Sequence, residues 1–596
     1  MSKTLHLYAG ESDLAGATGT VGLLCEFAPD SPWIQKAEHC YGPDELLGPA
    51  DAALAVVDPL VSKLLQSAPR IDGLPPLSIF EEELLEQGSY IVRAFHLDRW
   101  ISSHGFSTCR FVSHSLWLDR LLQARAVTGS TYALVADVPL VQSSRRGRAI
   151  RKLWNSPPMP SEFFRRVAPL WSRYLSATPM RKRTESAPRG GIWFYSTAYN
   201  CTKIGLEYEA YLPERLNFLV EDPASGGKRL CELGREWHLL YAWSRASDIP
   251  STSEVDSVRR RFTAALASLP LSDEESALRT VLLKGEWWHY FLTRQLPFAL
   301  YNNRSLERWQ QAVAPEMLVV GNAGWERALL MREDIKRVPV VMLQHGIMHW
   351  VYAVADQPVD VFLLRGPFFQ RVINDRLRRK TVIRNFPEPK ADVAQPAARV
   401  RDDILFITTP YEVLTLFHPE DLRDILRSLL RVSHASHRRL SIRVHPQEKI
   451  SAYEKTVSEL QAEIGLRAEV RYSQGPGVEE VFARSCVAVL YFSTMFLDCL
   501  RHGIPIVSFG WHWFPNKRQF EEEGIFNFAS DLKKLEELVR EGIEGRLPQR
   551  RAGLTEFLAS SQPEETSRLF REIWNARRSA GSGRTVRDPV TTLPSE

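Results

Sequence analysis

Apolar runs of strand length alternate with stretches of helical periodicity along most of this chain, and the sharpest example lies between Met317 and Trp350. Two valine-rich runs, Met317–Val320 and Val338–Leu343, flank a segment long enough for a short helix. Unbroken apolar runs of this kind are strands buried on both faces, the mark of a parallel sheet. Each run gives way to polar residues and a glycine. Asn322 and Glu326 follow the first, and Gln344, His345 and Gly346 follow the second. In an open α/β sheet, ligands sit beyond the carboxyl ends of the strands. These five residues are therefore expected on one rim, where Gly346 lets the backbone turn and a substrate approach closely.

The same alternation divides the rest of the chain. Residues 3–10, 52–57, 109–113 and 132–138 read as strands, with helices from 58 to about 66 and over 79–103. Residues 1–142 thus form an α/β region of their own. Residues 143–190 break the pattern with prolines and two basic runs, Arg145–Lys152 and Arg181–Arg183. They read as a solvated connector or, alternatively, as a patch for anionic lipid or polyanionic glycan. From 191 to 390 the alternation resumes, with strands at 191–197, 216–220, 360–364 and 381–385 around the central unit, and helices at 235–246, 257–267 and 276–300. The last helix carries Trp287, Trp288, Tyr290, Phe291 and Phe298, an aromatic stripe that reads as core rather than ligand platform. An Ala/Pro-rich stretch, 391–398, is the expected hinge. Residues 399–576 repeat strand and helix: strands at 403–410, 440–446, 468–472, 487–491 and 502–508, and helices at 419–433, 451–464, 478–485, 531–546 and 564–576. This spacing predicts parallel, doubly wound sheets. The tail, 577–596, is expected to be disordered.

Composition narrows the class. The 596 residues are 44% hydrophobic and 24% charged, as in ordinary globular chains, and the net charge of +4 supports no argument for nucleic acid. Seven cysteines without a Cys-x-x-Cys fit reduced thiols in a cytoplasmic setting. The first residues lack a signal-peptide core, and no apolar run approaches the ~18 residues of a membrane helix. Neither Gly-x-Gly-x-x-Gly nor Gly-Lys-Ser occurs in the N-terminal α/β region.

Two further strand ends carry chemistry. In Arg443-Val444-His445-Pro446 the proline stops the strand, and Arg443 and His445 fall on one side of it. An arginine beside a histidine suits a phosphate, although a lone His-Pro is also compatible with a structural histidine. In Tyr491–Pro505, Ser493 or Thr494 is the expected N-cap of a helix whose free N–H groups favour an anion. Asp498 lies one turn further in, placed to accept a ribose hydroxyl, and Gly503 permits the C-cap. Simple capping accounts for the same serine and glycine. Asp402 and Asp403 open a strand and read as surface, so no metal site is expected.

Together, Gln344-His345-Gly346, Arg443-Val444-His445-Pro446 and Ser493-Thr494 with Asp498, Gly503 and Pro505 resemble the motifs of bacterial surface-carbohydrate glycosyltransferases of the GT-B fold. The similarity extends to capsule-type Kdo and sialic acid transferases and to the CDP-glycerol glycerophosphotransferases of teichoic acid synthesis, and it spans about residues 191–545. It implies two Rossmann-like doubly wound domains with an additional N-terminal α/β region. The N-terminal domain of the pair would take the acceptor and the C-terminal one a nucleotide-activated donor. By this resemblance His445 with Pro446, and Ser493 with Thr494, bind the nucleotide phosphate, and His345 serves catalysis. Arg443 would add positive charge there, and Glu326 is the other candidate base. The implied donor is a nucleotide-sugar, CMP-sugars favoured, and the acceptor a glycan or lipid-linked glycan. No cofactor, metal or nucleic acid is implied. The expected location is cytoplasmic, peripheral at the inner face of the plasma membrane. Two features depart from the family. This chain has Gln-His-Gly where Trp-His-Gly is usual, and the Asp/Glu-Asp-Gly that supplies a base in polysialic acid transferases is absent. Three rivals share the fold: a CDP-polyol phosphotransferase, a sugar-nucleotide 2-epimerase, and a non-catalytic export or scaffold protein.

Overall fold

The computed structural model describes residues 3–8, 19–24, 37–71, 77, 81–111, 116–136, 187–196, 199–221, 227–321, 329, 338–344, 359–374, 382–385, 401–409, 419–445, 448–475, 477–491, 493–509, 517–547 and 563–580. The two basic runs and the Ala/Pro-rich stretch lie outside these residues, as do Asn322, Glu326, His345, Gly346 and Pro446.

Three sheets follow one another along the chain, and every strand pair described in them is parallel. The first holds β1 (Thr4–Tyr8), β2 (Thr20–Leu23), β3 (His39–Tyr41), β4 (Thr108–Phe111) and β5 (Ala133–Ala136), in the order β3-β2-β1-β4-β5. The second holds β6 (Ile192–Ser196), β7 (Asn217–Val220), β8 (His238–Leu239), β9 (Met317–Val320), β10 (Val340–Leu343), β11 (Val361–Leu364) and β12 (Val382–Asn385), in the order β12-β11-β10-β9-β6-β7-β8. The third holds β13 (Asp403–Ile407), β14 (Arg439–Arg443), β15 (Val470–Ser473), β16 (Ser485–Leu490), β17 (Ile506–Phe509) and β18 (Phe526–Ala529), in the order β15-β14-β13-β16-β17-β18. Each sheet begins at an inner strand and winds outward both ways. The expected class, doubly wound α/β with an additional N-terminal α/β region, is the one observed. The central strands β6, β9, β10, β11 and β13 are buried at every residue, which is why their sequences are apolar but for Ser196 at the end of β6 and Asp403 at the start of β13.

Five local expectations give way. Residues 52–57 are not a strand but part of helix Ala50–Ser67, whose buried Ala53, Leu54, Val57, Leu60, Val61 and Leu64 form one stripe. This helix packs on helix Glu81–Ser103 at Gly88, where a Cβ would collide with Val57. Residues 235–246 are not a helix. His238–Leu239 pairs with β7, and Leu240–Trp243 makes a 3-10 turn. Trp237 through Tyr241 are buried consecutively, so no polar face remains for a surface helix. The single helix expected over 276–300 is broken near Gly285 into Asp273–Leu282 and a run from Glu286 that passes through a π-turn, Phe291–Gln295, to Val313. Its aromatic stripe is nonetheless core, with Trp288 and Phe291 buried. Asp403 is not at the surface. It is 1% exposed and receives Arg439 and the Ser441 hydroxyl from β14. The last helix, Pro563–Ala580, runs past the expected start of the tail at 577.

The three units are packed together. Helices Ala50–Ser67 and Glu81–Ser103 carry the first sheet onto the second unit, beside the exposed ion pairs Lys63–Glu275 and Arg99–Glu274. Phe368 of the second unit meets Phe520 of the third edge to face at 4.9 Å, with Arg371–Glu523 alongside at 2.7 Å. The last helix returns to the second unit beside Glu209–Tyr211, burying Phe570 and Trp574.

Candidate functional site

In the third sheet the strand order reverses at β13, which lies between β14 and β16. Crevices at such reversals are where open α/β sheets receive ligands. Four strand ends meet this rim: Thr408 and Thr409 after β13, Arg443, His445 and then Glu448 after β14, Gln474 and Gly475 after β15, and Ser493 and Thr494 after β16.

Arg443 is half-buried, as is His445, while Val444 between them is buried. Arg443 Nη2 donates to the Gly475 carbonyl. Its Nη1 is shut off from solvent and meets no acceptor among the described residues. Burial lowers the guanidinium's pKa, yet arginine remains cationic at neutral pH. Burial also lowers the pKa of His445, favouring the neutral imidazole.

The backbone of His445 is held from both sides. Its N–H donates to Thr408 Oγ1 at 2.8 Å, and its carbonyl accepts from Gln474 Nε2 at 2.8 Å and from the Glu448 N–H at 2.9 Å. Thr408 Oγ1 donates to Glu448 Oε2 at 2.6 Å, and the Tyr453 hydroxyl donates to Glu448 Oε1 at 2.9 Å. Gln474 Nε2 reaches the Glu448 carbonyl as well, at 2.9 Å. None of Thr408, Glu448 and Gln474 stood out in the sequence. The only signals were a Thr-Thr at a strand end and a glutamate three residues after His445.

The segment after β16 corrects one expectation. Helix Phe496–Arg501 begins after Met495, and neither Ser493 nor Thr494 is its N-cap. Ser493 instead closes a tight turn: its Oγ accepts from the Met495 N–H at 3.3 Å and its carbonyl from the Phe496 N–H at 3.0 Å. The Asp498 carboxylate accepts from Arg501 Nη1 at 2.6 Å, so it is held by a neighbour one turn away. Gly503 follows the helix with φ +60° and ends it as expected, the Ile504 N–H reaching back to the Cys499 carbonyl.

On the rim of the second sheet, Gln344 is buried, and its Oε1 accepts from the Arg365 N–H at 2.8 Å. It ties the ends of β10 and β11 together, a scaffold role. A buried carboxylate unmarked in the sequence lies on the same rim. Glu221, just past β7, accepts from the Tyr195 and Tyr241 hydroxyls at 3.1 and 2.8 Å. Among the described residues no three His, Cys, Asp or Glu are grouped as metal ligands, and no helix is long and apolar enough to cross a membrane.

No family model matches the chain, and no curated protein does either. Solved structures are matched at low similarity. MnaA of S. aureus, a co-structure with UDP, shares 10% identity at a TM-score of 0.41, covering 65% of this chain and 97% of its own. The UDP-GlcNAc 2-epimerase of Neisseria meningitidis, bound to UDP-GlcNAc, shares 10% at 0.40, covering 65% and 100%. MurG of Acinetobacter baumannii shares 8% at 0.36, covering 65% and 100%. Likeness at this level assigns neither ligand nor reaction to this chain.

Proposed function

We propose that the protein is a glycosyltransferase that moves a sugar from a nucleotide-activated donor, CMP-sugars favoured, to a glycan or lipid-linked glycan acceptor in bacterial surface-polysaccharide synthesis. The third-sheet unit holds the donor by its phosphate, and the second-sheet unit receives the acceptor. The observation that carries the reading is Arg443, whose buried Nη1 meets no acceptor among the described residues and lies at a strand end next to His445. A departing phosphate needs positive charge and N–H donors where its own charge grows. A half-buried guanidinium with one donor uncommitted among the described residues meets that need. The acceptor hydroxyl must lose a proton as it attacks, and His345 and Glu326 are the candidate bases.

Calorimetry with CMP, CDP and UDP tests the donor site. The wild type is expected to bind at least one of them, and Arg443→Ala to weaken that binding by about 1.5–3 kcal/mol, the contribution of a charge-assisted hydrogen bond. Undiminished affinity in the variant, or no binding by the wild type, rejects the reading. Labelled sugar nucleotides with and without acceptor glycan then separate transfer from 2-epimerisation, which needs no acceptor, and labelled CDP-glycerol separates both from polyol-phosphate transfer.

A further inference from the structure

We infer that Thr408, Glu448 and Gln474 are positioning residues that fix His445 for the donor phosphate; this rests on the phosphate-site reading above. His445 lies two residues beyond the last residue of β14, where ladder pairing ceases to set the backbone. The loss is made good from both flanks, by Thr408 from the end of β13 and by Gln474 from the end of β15. The Thr408 hydroxyl has one proton, and both of its contacts are assigned. It accepts from the His445 N–H, so its proton must go to Glu448 Oε2. The other oxygen of Glu448 is taken by Tyr453. Gln474 Nε2 has two protons and spends them on the carbonyls of His445 and Glu448. These contacts tie the ends of β13, β14 and β15 to one another around the His445 backbone. The residue after Gln474 is Gly475, whose carbonyl holds Arg443 Nη2. The same loop therefore holds both the Arg443 guanidinium and the His445 backbone.

The test uses the full-length protein and CMP, CDP and UDP as probes in calorimetry, with thermal unfolding alongside. Thr408→Val keeps the shape and removes the hydroxyl, and with it the contacts to the His445 N–H and to Glu448 Oε2. It is expected to weaken the bound nucleotide about tenfold or more, the lower range for an unsatisfied buried group, whereas Thr408→Ser keeps the hydroxyl and recovers affinity to within about threefold. In a His445→Gln background Thr408→Val should cost little more, because a residue that acts through His445 has nothing left to position. Should Thr408→Val fail to fold, Tyr453→Phe frees one Glu448 oxygen without touching His445 and is expected to weaken the nucleotide about threefold or more. Wild-type affinity in the folded Thr408→Val or Tyr453→Phe variant overturns the inference, and so does full additivity with His445→Gln. A wild-type protein that binds none of the three nucleotides instead overturns the phosphate-site reading itself.

Discussion

His445 combines a mobile proton with a half-buried position, and burial alone lowers its pKa from the usual 6.5. Between that value and the lower folded one, the unfolded chain binds the proton more tightly, so stability is full above pH 6.5 and is lost as pH falls. His445→Gln does not titrate there. Its unfolding temperature should drop less than the wild type's between about pH 7 and about pH 5. Equal drops in the two proteins would mean that the imidazole is as well solvated folded as unfolded. The other histidine at issue, His345, follows a strand buried at all four residues and precedes Gly346. His345→Asn is expected to keep nucleotide binding and thermal stability while losing about 100-fold or more in transfer rate, the lower end for a general base. Near-normal transfer in that variant would move the search to Glu326 and to Glu221, the buried carboxylate on the same rim.

At the scale of elements, helix and sheet are spaced by small residues at specific contacts. Gly542 in helix Leu532–Ile543 faces β16, and a Cβ there would lie 2.6 Å from Val487 Cγ2 and 2.8 Å from Val487 Cβ. Both atoms belong to Val487, which lies inside a strand and has little room to move. Gly542→Ala should therefore lower stability by about 1–3 kcal/mol, the usual cost of overpacking. This is the opposite of the gain of about 1 kcal/mol that alanine brings to an exposed helix position. Urea midpoints of the two proteins decide the sign. A stabilised variant would mean that the helix lifts from the sheet at small cost.

At the scale of the whole molecule, the three parallel sheets are joined through buried apolar faces, and the ion pairs between them are mostly solvent-exposed. Lys63–Glu275 and Arg99–Glu274 are of the kind that contribute about 0–1 kcal/mol. The chain between the first and second sheets carries the basic runs Arg145–Lys152 and Arg181–Arg183. If the acceptor is lipid-linked, these runs should hold the protein at an anionic surface, each basic residue adding about 1 kcal/mol. Co-sedimentation with phosphatidylglycerol vesicles is expected at low salt and should be lost at high salt. Replacing Arg181–Arg183 by serines should weaken it further. Absence of binding at low salt would leave the basic runs as solvated connector.

The order of the elements was legible from hydrophobic pattern alone wherever strands are buried on both faces. Met317–Val320, Val340–Leu343 and Asp403–Ile407 read as strands because a strand covered on both faces of a parallel sheet is built mostly of apolar residues. Short or edge strands did not read that way. Thr20–Leu23 and His39–Tyr41 lack an apolar run, and His238–Leu239 is two residues long, so their pairing rests on neighbours far away in the chain. The confusion of 52–57 with a strand has the same origin, since a run of small apolar residues fits either period until a partner helix selects one. At the candidate site, Arg443, His445 and Gly503 could be picked out because a strand end, a proline and a helix terminus mark them locally. Thr408, Glu448, Gln474 and Glu221 could not. Hydrogen bonds that hold them join residues 20 to 40 positions apart, and only the stacking of parallel strand ends, along the rim of the third sheet for the first three and of the second for Glu221, brings those side chains within 3.1 Å of these partners.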